Sequence, residues 1–322
     1  MANSTPSVES LSDLCTPWCV HVAVTLRIAE HIEQGREAVH DLAAAASCDA
    51  HVLRGILTHL VSKGVFEQPE PGRFTLNDTA RRLLDPGTRL GLDLDGIGGR
   101  MAFAWSTLLQ FARTGEPAYH EIFGRPFWED LDAHPEVAAS FDALMGPAGH
   151  GVPDPLFPLA EGWERVRRIV DVGGGTGAML AAVLQAHPHL LGTLVDLPRT
   201  VARSAEVFAG AGVSDRAAAV GQSFFEPLPA GADVYLLRKV INDWPDREAV
   251  SILRRCAEAA RPSGRVVVLK SVSADAARGG LPIEMLLCGG KPRTLEQFNE
   301  LARKSGLTVV SASGPAVEYR PL

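Results

Sequence analysis

Hydrophobic residues change their spacing along the chain, and the changes divide it. From Leu14 to Ile32 the apolar positions Trp18, Val22, Leu26 and Ala29 recur at helical intervals, which predicts one amphipathic helix with a face to bury against a partner. Between Val39 and Leu84 the pattern reads as helix, turn, helix and small hairpin. Asp41 precedes Leu42 and a run of alanines, Asp49 precedes the helix Val52 to Lys63, and Phe66 and Phe74-Thr-Leu flank Glu67 to Arg73. From Leu90 to Gly151 large apolar residues crowd together (among them Trp105, Tyr119, Phe127, Trp128 and Phe141), enough for a helical core and for the walls of a flat pocket. Pro147, Pro153, Pro155 and Pro158 then interrupt regular structure and predict a domain boundary. Beyond them the period shortens. Apolar runs at Ile169 to Val172, Leu194 to Asp196, Ala217 to Val220, Val234 to Leu237 and Val266 to Leu269 alternate with helical stretches, which predicts a parallel, doubly wound α/β sheet. Val309 to Ser313 and Ala316 to Tyr319, separated by Gly-Pro, predict a closing hairpin.

Composition narrows the function. Apolar residues make up 46% of the 322 positions, ample for sizeable cores. The net charge of −7 and the scattered basic pairs argue against a nucleic-acid partner. The helix–turn–helix and hairpin would suit a winged-helix DNA reader, yet Ala50 to Ser62 offers only Arg54, so packing and dimerisation are the expected role. The five cysteines (15, 19, 48, 256 and 288) are odd in number and include no Cys-x-x-Cys pair, so reduced, buried thiols and no metal site are expected. No 18-residue apolar run predicts a membrane span, and the acidic N-terminal residues Glu9 and Asp13 lack the basic start of a leader, so a cytoplasmic protein is expected.

The chemistry centres on Arg168-Ile-Val-Asp-Val-Gly-Gly-Gly-Thr-Gly177 followed by helix formers from Ala178 to Gln185. Strand, glycine turn and helix bring bare backbone and free N–H groups to one spot. The spacing Gly173-x-Gly175-x-Gly177 is not that of a dinucleotide site, and no Gly-Lys-Ser/Thr follows for a triphosphate. Asp171 suits an ammonium group. Asp196, closing the next apolar strand about 20 residues on, suits a pair of ribose hydroxyls. A nucleoside carrying an amino acid fits both.

These motifs, Asp-Val-Gly-Gly-Gly-Thr-Gly and Val-Asp-Leu-Pro, together with Phe123-Gly-Arg-Pro-Phe-Trp128, Phe224-Phe-Glu-Pro227 and Gly290-Lys-Pro-Arg-Thr294, resemble the class I S-adenosylmethionine-dependent small-molecule O-methyltransferases, the caffeic-acid and bacterial polyketide-tailoring types. The resemblance implies a mostly parallel seven-stranded Rossmann-like sheet with an N-terminal all-helical, winged-helix-like dimerisation domain. It implies a homodimer, and a division into residues 1–95, a helical lid at 96–160 and a catalytic domain at 161–322. It also implies that Asp171, Gly173, Gly175, Gly177 and Asp196 hold S-adenosylmethionine, that Leu197 and Phe224 flank its adenine, that Ser223 accepts from the adenine amino group, and that Arg238 stands where the family carries a lysine. Met145, His150 and Trp244 would contact the acceptor.

The catalytic positions depart from the family. Asn242, before Asp243, replaces the histidine that takes the acceptor's proton, and an amide cannot serve as a base near neutral pH. Lys270 replaces a glutamate that buttresses that histidine in the plant enzymes. Two outcomes stay open. Asn242 orients a hydroxyl for methyl transfer by positioning alone, or Lys270 binds a carboxylate or carbonyl while the cofactor serves as a fixed cation for decarboxylation, hydroxylation or a pericyclic reaction. A non-catalytic, cofactor-binding regulator is the third expectation.

Overall fold

The computed structural model describes residues 7–146, 154–269, 283–313 and 316–322. The chain forms two compact units, Met1–Ala102 and Phe103–Leu322.

In the first unit, helices Cys15–Thr25, Ile28–Glu33, Val39–Ala45 and Ala50–Ser62 precede a hairpin of β1 (Glu67–Glu70) and β2 (Arg73–Thr75). The helix expected across Leu14 to Ile32 is broken. Arg27 adopts φ 54°, a left-handed turn that stops the 3.6-residue period from running through. The buried face is Ala23, Val24, Ile28, Ala29 and Ile32, while Trp18 points outwards at 37% exposure. Asp41 also differs from its expected place. The helix begins at Val39, so Asp41 lies in the first turn, where its charge complements the helix dipole, whereas Asp49 caps its helix by accepting from the His51 and Val52 N–H groups. Leu42, Leu53, Leu57, Leu60, Phe66 and Phe74 close the core.

The second unit carries a seven-stranded sheet of β3 (Arg168–Val172), β4 (Leu191–Asp196), β5 (Ala217–Gly221), β6 (Val234–Arg238), β7 (Arg265–Leu269), β8 (Leu307–Ser313) and β9 (Ala316–Pro321). The order is β5-β4-β3-β6-β7-β9-β8, parallel except for the pairs made by β9. The β-branched central strands alternate between two cores. Val170, Val172, Tyr235, Leu237, Val266 and Val268 face one layer, and Ile169, Val234, Leu236 and Val267 face the other. The helix Asp246–Ala259 seals the first layer through Ala249, Ile252, Leu253 and Cys256, the i, i+3, i+4, i+7 stripe. Between β3 and β6 the strand order reverses, and at this switch point the carboxyl ends of the strands open a crevice.

Candidate active site

That crevice is a cavity of about 470 Å³, lined from loops that leave the strands at their carboxyl ends and from the helices Phe127–Ala133 and Pro135–Met145. The loop after β3 contributes Gly173, Gly174, Gly175 and Thr176; that after β4 Leu197, Arg199 and Thr200; that after β5 Gln222 to Phe225; and that after β6 Lys239, Val240, Asp243 and Trp244.

One wall is backbone and carboxylate. Gly173, Gly175 and Gly177 all take positive φ. At Gly173 (φ 68°) a Cβ would stand 2.8 Å from Val240 Cγ2, so both the turn and the approach require glycine. Gly177 caps the helix Ala178–Ala186 and packs against Phe208 rather than lining the cavity. Asp196 ties the turn to β4: the Gly175 N–H donates to its Oδ2 at 2.8 Å and the Leu197 N–H to its Oδ1 at 2.7 Å. Burial nevertheless raises the Asp196 carboxyl to about 6. Asp171 is fully buried, and among the described residues neither of its oxygens has a partner in full hydrogen-bond geometry, the Leu180 N–H lying near enough only to exert a weak pull. Desolvation, with the charge of Asp196, pushes it to about 7, and Arg238 and the Leu180 N–H offset that rise only in part. A buried carboxyl without partners is costly unless a donor or cation reaches it.

The other large share of the lining is aromatic, and it meets the turn at Phe224, whose ring a Cβ on Gly173 would approach to 3.3 Å. The Trp128 and Trp244 rings stack at 5.5 Å and 14°, Phe141 meets Trp128 edge-on at 5.5 Å, and Phe224 and Phe225 meet Trp244 edge-on at 5.8 Å and 5.1 Å. The Trp128 indole N–H is buried without a partner. Among these rings Asp243 is raised to about 7 by burial, which Lys239 only partly offsets. Lys239 itself holds φ 61°, uncommon for a residue with a Cβ.

Of the residues singled out from sequence, Asp171, Gly173, Gly175, Asp196, Leu197, Ser223, Phe224, Arg238, Met145, Asp243 and Trp244 all line this cavity. Ser223 Oγ accepts from the Phe225 N–H at 3.2 Å, and Met145 is 43% exposed. Asn242 does not line the cavity: its Oδ1 is buried without a partner and its carbonyl accepts from the Lys291 N–H at 2.7 Å. His150 and Lys270 lie outside the described residues. Sequence reasoning missed Asp142, Phe225 and Lys239 as cavity residues and named Trp128 and Phe141 only within a group fit for either core or pocket wall. Trp128 and Phe141 were legible as apolar positions, but only the fold faces them towards the sheet. Asp142 sits one helical turn before Gly146, and burial raises its pKa against the pull of the Thr200 hydroxyl, Arg199 and Arg203.

The expectation of buried thiols needs correcting: Cys256 is buried, Cys15 is exposed, and Cys19, Cys48 and Cys288 are half-buried. Helical i, i+4 spacing brings Cys15 Sγ and Cys19 Sγ to 3.8 Å, and with His59 they form the one His/Cys/carboxylate group among the described residues whose ligand atoms all lie within 4.8 Å of each other.

Comparison with known proteins agrees with this geometry. Residues 8–86 match the O-methyltransferase dimerisation domain and residues 105–308 the O-methyltransferase domain. The 2,7-dihydroxy-5-methyl-1-naphthoate 7-O-methyltransferase of Streptomyces carzinostaticus is 41% identical, over 95% of this chain and 93% of that protein. Aclacinomycin 10-hydroxylase RdmB of Streptomyces purpurascens is 38% identical, over 94% of this chain and 84% of that one. The crystal structure of NcsB1, an O-methyltransferase from neocarzinostatin biosynthesis in complex with S-adenosylmethionine and 2-hydroxy-5-methyl naphthoic acid, superposes with a TM-score of 0.88 at 39% identity, covering 99% of this chain and 100% of that one. The chain belongs to the O-methyltransferase family.

Proposed function

We propose that the protein transfers the methyl group of S-adenosylmethionine to a hydroxyl of a flat aromatic or polyketide-like acceptor in natural-product tailoring, in the cytoplasm and as a homodimer. The observation that carries this reading is the cavity's two unlike walls. One part is a buried carboxylate beside a glycine turn, with no partner in hydrogen-bond geometry among the described residues, and the other is a stacked aromatic box.

S-adenosylmethionine supplies an electrophilic methyl on a sulfonium, and the residues present fit it. Asp171 receives the ammonium group, which satisfies its orphaned oxygens. Asp196 keeps its bonds from the Gly175 and Leu197 N–H groups and accepts from the ribose hydroxyls with its remaining lone pairs. Leu197 and Phe224 enclose the adenine, Ser223 Oγ accepts from its amino group, and Arg238 balances the two acids. The acceptor ring lies towards Trp128, Phe141, Met145 and Trp244, where the free indole N–H of Trp128 can donate to an acceptor oxygen. Its hydroxyl oxygen forms the new bond to the methyl carbon, its proton leaves to solvent or a nearby carboxylate, and S-adenosylhomocysteine departs. Positioning and exclusion of water do the work that a histidine base would share. The exposed Val8, Leu11, Leu14 and Trp18 of the first unit supply an apolar face for a second copy.

The likeness to a hydroxylase favours a second reading, in which the same cavity holds the cofactor as a fixed cation while dioxygen hydroxylates the acceptor, one oxygen atom entering the product and the other leaving as water with two electrons from an external reductant. Methyl-labelled S-adenosylmethionine with 2,7-dihydroxy-5-methyl-1-naphthoic acid and related hydroxynaphthoates, in air and with a thiol reductant, separates the two. A labelled methyl ether formed one-to-one with S-adenosylhomocysteine supports methyl transfer. An oxygenated, unlabelled product supports the second reading, and binding without any product across the acceptor panel contradicts both.

A further inference from the structure

The motif Gly290-Lys-Pro-Arg-Thr294 is not part of the cavity wall, yet the contacts of its Arg293 and Lys291 gather on the loop that is. Arg293 is 2% exposed, which is rare for an arginine without a dedicated set of acceptors. Its Nη1 donates to the Ile241 carbonyl at 2.8 Å and its Nη2 to the Trp244 carbonyl at 2.7 Å. Nε and Nη2 both donate to Asp246 Oδ1, at 3.1 Å and 2.8 Å. One planar guanidinium thus bridges both ends of the short helical turn Ile241–Asp243 and the start of the helix Asp246–Ala259. The neighbours complete the grip. The Lys291 N–H donates to the Asn242 carbonyl at 2.7 Å, and its Nζ pairs with Asp246 Oδ2 at 2.7 Å. A Cβ on Gly290 would stand 2.9 Å from the Asn242 carbonyl oxygen, so only glycine lets the segment come this close. Thr294 then fixes the segment's far end as the N-cap of Leu295–Lys304, in a capping box with Gln297.

Between the clamped carbonyls of Ile241 and Trp244 lie the side chains that face the cavity, Asp243 and Trp244, the latter stacked on Trp128. We propose that Arg293, assisted by Gly290 and Lys291, is a positioning residue that sets where Asp243 and Trp244 stand against the acceptor. Its buried charge is spent on backbone carbonyls of one loop, and lysine, a single ammonium on a flexible stem, cannot span both while holding Asp246. The inference rests on the methyl-transfer reading for its kinetic consequence, but not for its structural one.

The test compares full-length wild type with Arg293→Lys, measuring melting temperature, near-ultraviolet circular dichroism, to which the Trp128–Trp244 pair contributes, calorimetric affinity for S-adenosylhomocysteine, and kcat and KM with 2,7-dihydroxy-5-methyl-1-naphthoic acid. The clamp predicts a folded variant with an altered indole signal, cofactor affinity within about threefold of wild type, and kcat lowered roughly 10- to 100-fold by displacement of the loop. An unchanged indole signal and kcat overturn the proposal, as does a kcat that falls only in proportion to the folded fraction. If Arg293→Lys does not fold, the double variant Lys291→Ala/Asp246→Asn loosens the clamp from its exposed rim. An altered indole signal with kcat lowered about 3- to 10-fold supports the proposal, and wild-type values overturn it. Should wild type methylate no acceptor, the methyl-transfer reading fails, while the indole signal still decides the clamp.

Discussion

The glycine-turn wall and the aromatic wall share one cavity but are held in opposite ways. On the first, backbone geometry does the holding: positive φ at three glycines, a turn tied by N–H groups to Asp196, and a carboxylate at Asp171 fixed on a central strand. On the second, side chains pack against side chains, and their placement depends on elements far apart in sequence, Phe127–Ala133, Pro135–Met145 and the loop after β6. A backbone-built site tolerates little change in residue type and suits a ligand that never changes. A packed aromatic site can be re-cut by single substitutions and suits one that does. The hydroxylase and naphthoate methyltransferase relatives, alike over nearly the whole chain, fit that division.

Substitutions should separate the walls by size of effect. Asp196→Ala removes the charge that organises the turn and should weaken S-adenosylhomocysteine binding by about 2–5 kcal/mol, or roughly 30-fold to several thousandfold, by calorimetry. Wild-type affinity would mean that the turn does not hold the cofactor. Gly173→Ala forces a Cβ into left-handed backbone against Val240, and should cost about 1–3 kcal/mol in stability or cofactor affinity, read as a lower melting temperature or a higher Kd. Trp244→Ala breaks the stack with Trp128 and should raise the acceptor KM roughly 2- to 10-fold while leaving cofactor affinity nearly unchanged. Equal losses for both ligands would erase the distinction between the walls. The smallest effect is expected from Asn242→His, less than about threefold in kcat, because residue 242 does not line the cavity. A large gain would show that a base at this position governs the rate.

How far each wall could be read in advance follows from the same contrast. Strands β3, β4, β6 and β7 were legible because buried parallel strands are written as local apolar runs, and the glycine turn because each glycine answers a local backbone demand. The broken N-terminal helix was not, since Arg27 gives no sign in its residue type of a left-handed turn. Asn242 was read as facing the reaction because it occupies the family's histidine position, yet its carbonyl is engaged by Lys291 and its amide oxygen is buried. Trp128 and Phe141 looked like core, and only the fold brings them to Trp244. Cys15 and Cys19 were counted for motif spacing rather than helical spacing, which hid their approach.

The central claim, that buried carboxylates await a cationic cofactor, makes a signed prediction about pH. An aspartate in the unfolded chain titrates near 4. In the folded protein burial holds the proton on Asp196 to about 6 and on Asp171 to about 7. These groups therefore favour the free fold at low pH, and that contribution is lost as pH rises from about 4 through about 7. An ammonium ligand prefers the ionised forms, so it binds more tightly where they are ionised. The most direct measurement is the affinity of S-adenosylhomocysteine for wild type and Asp171→Asn from pH 5 to pH 8. The account predicts that wild-type affinity climbs across the window from about 6 to about 7 and levels above it, while Asp171→Asn binds weakly at pH 8 and loses most of the climb. A flat wild-type profile, or coincident curves for the two proteins, would contradict it.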